Sequence, residues 1–170
     1  MRLYSGKITT IASELLDVLT QNNAIEVESR DEVLIDFESV MKEYLRMERS
    51  VVEEAKNRME ASGMGYSALG KVKSQLAKEK RLPSTDDVLP YLVQQLLEML
   101  FYSNNVAEVF ATDVELREAI TPILRKHMDV DADIEKEVRD KIKNLEEGTS
   151  SFDIEYQKVM EQIKRKRGLV

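Results

Sequence analysis

The fold is decided by a pattern that occurs twice, first in residues 14–19 (ELLDVL) and again in residues 95–100 (QLLEML). In both stretches the apolar residues recur at spacings of three and four, which places them on one face of an α-helix. A pair of asparagines follows each stretch, at residues 22–23 and 104–105. Because asparagine tolerates the left-handed conformation that ends a helix, the same helix and the same stop are predicted in both halves.

The repetition continues outward from these helices. Ser29 with Glu32, and Thr112 with Glu115, have the spacing of a capping box, which begins a second helix in each half. Turn residues at 62–65 and 147–151 then precede a third helix. We therefore predict an all-α protein made of two tandem copies of a three-helix unit, residues 1–82 and residues 83–170, that share one core.

The second helices of the two copies differ. Pro122 stands where the first copy has Ser39, and a proline inside a helix kinks or restarts it. Residues 129–133 (DVDAD) predict a further interruption, with one aspartate as the cap of a new helix. The sequence leaves open whether the long second helix is continuous in each copy.

The composition favours a helical bundle and excludes several classes of protein. Hydrophobic residues make up 42% and charged residues 34% of the chain, with only 3 prolines and 6 glycines. Cysteine is absent, which excludes disulfides and is typical of a reducing compartment. No secretion signal or membrane span is recognisable, so a cytoplasmic protein is expected. A net charge of −7 argues mildly against nucleic-acid binding by the molecule as a whole.

No arrangement of residues predicts catalysis, a cofactor or a bound metal. Residues 129–133 imitate half of a calcium loop, but Ile134 replaces its glycine and Asp140 its bidentate glutamate. His127 is the only histidine, and a partly buried packing role is favoured for it. The glycines of residues 63–65 follow no strand, so they predict a helix-helix turn rather than a phosphate loop. The chain is therefore expected not to be an enzyme.

One charge feature occurs in both copies, because the third helices are basic while the rest of the chain is acidic. The simpler interpretation is that these cations complement the helix dipoles and improve solubility; the functional one is an anion-binding or partner-binding surface. The candidate residues are Lys71, Lys73, Lys78, Lys80, Arg81, Lys158, Lys164, Arg165, Lys166 and Arg167.

The whole chain resembles the bacterial domain-of-unknown-function family 507. The resemblance rests on residues 1–7 (MRLYSGK), 25–30 (IEVESR), 43–46 (EYLR), 154–161 (IEYQKVME) and 164–168 (KRKRG). It implies a Y-shaped helical fold with pseudo-twofold symmetry, in which a four-helix base carries two helical arms. It implies no activity. We expect the first and third helices of each copy to form the base and the long second helices to form the arms.

These observations predict a class of function rather than a reaction. The leading hypothesis is a non-catalytic module that binds or scaffolds unknown protein partners. The alternative is weak association with nucleic acid through the two basic helices, although the acidic remainder would repel phosphate. An enzyme ranks third, since helical enzymes usually show a His, Cys or carboxylate-metal cluster.

Overall fold

The computed structural model describes all 170 residues, and the predicted mainly helical fold is confirmed. One short two-stranded sheet was not predicted. Three of the helices begin with a single 3₁₀ turn, at Ser5–Lys7, Tyr66–Ala68 and Thr85–Asp87. The α-helices are α1 (Ile8–Gln21), α2 (Arg30–Ser62), α3 (Leu69–Glu79), α4 (Val88–Tyr102), α5 (Asp113–Met128), α6 (Asp131–Ile142) and α7 (Ser150–Lys166), and the strands are β1 (Ile25–Val27) and β2 (Val106–Val109).

The main core lies in a four-helix base made of α1, the first half of α2, α4 and α5. Each of these helices has an apolar stripe that packs against two neighbours, so that 26 buried residues form one continuous cluster. Phe37 and Met41 of α2 and Leu96 of α4 are fully buried within it. Burial of this apolar surface is the dominant force that holds the base together.

The rest of the helical structure forms two hairpins. In the first hairpin, α3 packs against the second half of α2, around Val51, Ala55 and Leu76. In the second hairpin, α6 packs against α7 around a cluster that includes Ile134 and Val159. The expected allocation of helices was therefore wrong in two respects. α3 and α7 belong to the hairpins and not to the base, while α5 and the first half of α2 belong to the base and not to the arms.

The two strands close one end of the base, which we call the strand end. β1 links α1 to α2, β2 links α4 to α5, and the two strands pair antiparallel with Ile25 opposite Val109 and Glu26 opposite Glu108. Since both hairpins continue from helices that begin at the strand end, they leave the base at the other end, which we call the hairpin end.

The predicted helix ends are largely confirmed. Asn23 adopts a left-handed φ of 53° after α1, and Gly63 does the same with a φ of 63° after α2. The matching stop in the second half was wrong in detail, because α4 ends at Tyr102 and neither Asn104 nor Asn105 is left-handed. Thr112 and Glu115 form a complete capping box, whereas the Ser29 side chain accepts a bond from the Glu32 amide without the reciprocal one. Local sequence thus determines where these helices begin and stop.

The long second helix is continuous in the first half and broken in the second. α2 runs unbroken for 33 residues, while α5 ends at Met128 and α6 begins at Asp131. Helix α5 continues through Pro122, so this proline does not restart the helix. The expected aspartate cap of α6 was wrong, because the N-cap of this helix is Val130. Asp131 and Asp133 lie in the first turn instead, where their negative charge complements the positive end of the helix dipole.

Candidate partner-binding surfaces

The basic residues of the first hairpin differ in how far they are neutralised. Lys80 Nζ lies 2.6 Å from Glu54 Oε2, and this hydrogen bond is the main reason that the pKa of Glu54 falls below its ordinary value. The other four cations have no carboxylate within 4.0 Å; they are Lys71, Lys73, Lys78 and Arg81. Lys78 and Arg81 lie at the C-terminal end of α3, where positive charge complements the helix dipole.

Most basic residues of the second hairpin have ion-pair partners. The Arg167 guanidinium lies 2.6 Å from Glu137 of α6, a bond that holds the pKa of Glu137 below its ordinary value. Lys158 and Arg165 make longer pairs with carboxylates of their own helix, at 3.5 Å and 3.7 Å. Lys164 lies over the ring of Tyr4, with its ammonium 5.9 Å from the ring centroid. Only Lys166 has neither kind of partner.

The two basic helices run back towards the base, which brings their C-terminal ends to the hairpin end. Leu82, just after α3, packs against the base core and the core of the first hairpin. Leu169, just after α7, is buried with Tyr4 and Ile134. α5 also ends here, with Arg125, Lys126 and His127 in its last turn. Cations from three helices therefore gather at the hairpin end. The sequence could have predicted this gathering, because the basic residues lie at the C-terminal ends of helices that run in the same direction.

The N-terminal segment lies across this end and joins the base to the second hairpin. Leu3 is buried in the base core, while Tyr4 is buried in the core of the second hairpin and donates a hydrogen bond to Asp131. Burial, followed by the bond to Asp131, raises the pKa of the Tyr4 hydroxyl. Arg2 covers the Tyr4 ring at 5.8 Å, so that Arg2 and Lys164 both make cation-π contacts with it.

A cleft of about 340 Å³ separates the N-terminal segment from the middle of α2. Arg2, Arg49 and Lys56 line it together with Glu48 and Glu53. Since the charged groups are of both signs, the cleft does not by itself favour an anion or a cation. Sequence analysis did not identify it, because its walls come from segments far apart in the chain.

His127 is partly buried, as predicted, and it has a carboxylate partner. Its Nε2 atom lies 2.7 Å from Glu14 Oε2, while Lys126 Nζ lies 2.8 Å from the other oxygen of the same carboxylate. These two hydrogen bonds, that of His127 first, lower the pKa of Glu14. Of the residues that imitate a calcium loop, Asp131 accepts a hydrogen bond from the Tyr4 hydroxyl. No group of three or more His, Cys, Asp and Glu side chains is arranged to hold a metal ion.

One known protein family matches this chain over almost its whole length. The model of a family described as protein of unknown function (DUF507) matches residues 1–169. The chain belongs to this family. The resemblance seen in the opening, middle and closing segments is thereby confirmed over nearly the full length. No curated protein matches the sequence, and no helix of this DUF507 member is both long and apolar enough to cross a membrane.

The distal turns of both hairpins of this DUF507 protein expose apolar side chains. Met64 and Tyr66 lie in the turn between α2 and α3, and both are exposed. Leu145 and Ile154 lie at the corresponding end of the second hairpin and are exposed as well. We call these four residues the hairpin tips. Single exposed apolar residues are ordinary, but here they occur at the distal ends of both hairpins.

Proposed function

We propose that this protein is a non-catalytic, cytoplasmic module that binds or scaffolds other proteins through its hairpins. The observation that carries the proposal is the placement of the hairpin tips, which expose apolar side chains at the points farthest from the base. Exposed apolar groups gain free energy when a partner covers them, so distal turns of this kind suit protein contacts. Membership in a family of unknown function is compatible with this role.

We also infer that the fold is a tandem duplication and that the hairpins are the arms of a Y. Two features support this. Both halves have the order helix, short strand, helix, and the two strands pair with each other. The contacts within the base also follow an approximate twofold symmetry that relates α1 to α4 and α2 to α5. α1 packs on α2 and α5, and α4 packs on α5 and α2. The broken second helix of the second half limits the symmetry to an approximate one.

Crosslinking in native cells tests the scaffold proposal. Cells would carry the wild type, a tip variant with Met64→Ser, Tyr66→Ser and Ile154→Ser, and a control variant, Ile35→Ser, which changes an exposed apolar residue of the base. We expect one or more proteins to crosslink to the wild type and to the control but to be lost with the tip variant. A tip variant that recovers the same proteins as the wild type, or no enriched protein at all, would contradict the proposal.

The alternative function, nucleic-acid association, is favoured by one observation, the gathering of basic helix ends at the hairpin end. Against it, four of the ten candidate cations already have carboxylate partners. Binding of labelled duplex and single-stranded nucleic acid would be measured over a range of salt concentrations. The test variant changes Lys164, Arg165, Lys166 and Arg167 to Gln. If the wild type shows no binding at low salt, the alternative is wrong.

A further inference from the structure

The strand end carries a group of exposed apolar side chains that the hairpins do not explain. Phe101 is 57% exposed, Tyr102 84%, Phe110 61% and Val114 62%. We call these four residues the aromatic patch. They include three of the ten phenylalanines and tyrosines of the chain. Their counterparts in the first half are Thr20, Gln21, Val27 and Asp31, so the patch belongs to the second half alone.

Helix geometry places Phe101 and Val114 beside the groove between α4 and α5. The Gln94 side chain accepts a hydrogen bond from the Arg117 guanidinium, which sets the level at which the two antiparallel helices meet. Phe101 lies seven residues beyond Gln94, almost two full turns, and therefore on the same face of α4. Val114 lies three residues before Arg117, on the face of α5 that borders the same groove. Tyr102 is the last residue of α4, and Phe110 directly follows β2, where its amide donates to the carbonyl oxygen of Ala24 at 2.9 Å.

Carboxylates without cationic partners surround the patch. Glu98 and Glu118 are exposed on α4 and α5 next to the groove, and neither has a cation within 4.0 Å. On the neighbouring sheet, Glu108 stands directly opposite Glu26, an arrangement of like charges that costs free energy. The one guanidinium at the groove, that of Arg117, is paired with Asp113 at 2.7 Å. The rim of the patch is therefore negative and is not neutralised from within the molecule.

The charge around the aromatic patch and the size of the patch together indicate which kind of partner binds it. A symmetric dimer through this patch would set the carboxylates of one copy against those of the other, which disfavours a second copy. Four partly exposed side chains offer a few hundred Å² at most, well below the roughly 800 Å² per partner of a stable globular interface. A short helix suits both the negative charge and the small area of the patch. Its apolar stripe can fill a groove between two helices while lysines and arginines beside the stripe pair with the carboxylates around the patch.

We propose that the aromatic patch is a second interaction site, distinct from the hairpins, which binds a basic amphipathic helix of a partner protein. The partner helix carries apolar residues at spacings of three and four and cations on either side of that stripe. Its apolar residues cover Phe101, Phe110 and Val114, and its cations pair with Glu98, Glu108 and Glu118. The site lies at the strand end, so a partner bound there leaves both hairpins free.

A designed peptide pair tests this proposal on the full chain. The probe is a labelled peptide of about 18 residues with a leucine stripe flanked by lysines, and its counterpart has glutamates in place of the lysines. Fluorescence anisotropy would measure binding to the wild type and to three variants. The first is Phe101→Ser with Phe110→Ser, and the second changes Glu98, Glu108 and Glu118 to Gln. The third is the control, Ile35→Ser, which removes an exposed apolar residue of the base that belongs to neither the aromatic patch nor the hairpin tips.

We expect the lysine peptide to bind the wild type and the control alike, to bind both patch variants at least about tenfold more weakly, and to lose affinity as salt is added. The glutamate peptide should not bind. Thermal melts would verify that the variants fold, as expected for exposed positions. The proposal is overturned if the lysine peptide does not bind, if it binds the patch variants as well as the wild type, or if both peptides bind equally. A dimer that sediments as such and dissociates in the Phe101→Ser, Phe110→Ser variant would also overturn it.

Discussion

Gly6 is the residue at which the two ends of the chain meet. Its amide donates to the carbonyl oxygen of Leu169 at 3.0 Å, and a Cβ atom at this position would lie 2.3 Å from the Gly168 carbonyl oxygen. Because that obstacle is backbone, no rotamer relieves the clash. We therefore predict that Gly6→Ala destabilises the protein by about 1–3 kcal/mol, the usual cost of overpacking, in urea unfolding followed by circular dichroism.

Gly70→Ala is the matched control for this prediction. Gly70 lies in the first turn of α3 with no atom within 4 Å of its added Cβ, so the same substitution should be neutral or should stabilise by up to about 1 kcal/mol. Equal effects at both sites would contradict the contact between Gly6 and the C-terminal segment.

The Glu14 carboxylate gives the base a pH-dependent contact. Its pKa is lowered in the folded protein, so its bonds to His127 and Lys126 stabilise the fold above the unfolded pKa of about 4.5 and are lost as the pH falls through the lower folded value. We predict that Glu14→Gln lowers the free energy of unfolding at pH 7 by about 0.5 kcal/mol, since solvent screens the pair. The difference between variant and wild type should shrink as the pH falls below 4.5 and through the lower folded pKa of Glu14. A difference that stays constant with pH would exclude this role.

At the scale of the element, the two capping residues of the second helices make unequal contacts. The Thr112 hydroxyl accepts a hydrogen bond from the Glu115 amide at 3.3 Å, and the Thr112 amide donates one to the Glu115 carboxylate at 2.8 Å. The Ser29 hydroxyl makes only the first kind of bond, accepting from the Glu32 amide at 3.4 Å. We predict that Thr112→Ala costs about 1 kcal/mol in thermal or urea unfolding, and that Ser29→Ala costs less. The reverse order would contradict the assignment of a complete box to Thr112 alone.

What could be predicted from the sequence follows the range of the interactions. Helix ends such as those at Asn23 and Thr112 depend on a few neighbouring residues, and the sequence indicates them correctly. The pairing of Ile25 with Val109 joins segments more than eighty residues apart, and two short strands without strict alternation carry too weak a local signal to be recognised. The same reason explains the misplaced third helices: an amphipathic stripe shows that a helix packs but not against which partner. The aromatic patch was missed because exposure is a property of the folded molecule.

At the scale of the whole molecule, the three cores differ greatly in size, and so should the stability of the parts that they support. The base core has 26 buried residues, the core of the second hairpin 7 and that of the first hairpin 3. Since opening free energies follow the apolar surface that is exposed on opening, we predict that amide hydrogens of α3 exchange first, those of α6 and α7 next, and those of α1 and α4 last. α2 should divide within itself, its second half exchanging with α3 and its first half with the base.

Leu76→Ala, in the smallest core, should speed exchange in the first hairpin and leave the base unchanged, because the cavity that it creates lies wholly within that hairpin. Exchange measured by mass spectrometry on peptic fragments checks this order, and uniform acceleration across all helices would mean that the hairpins and the base unfold as one unit.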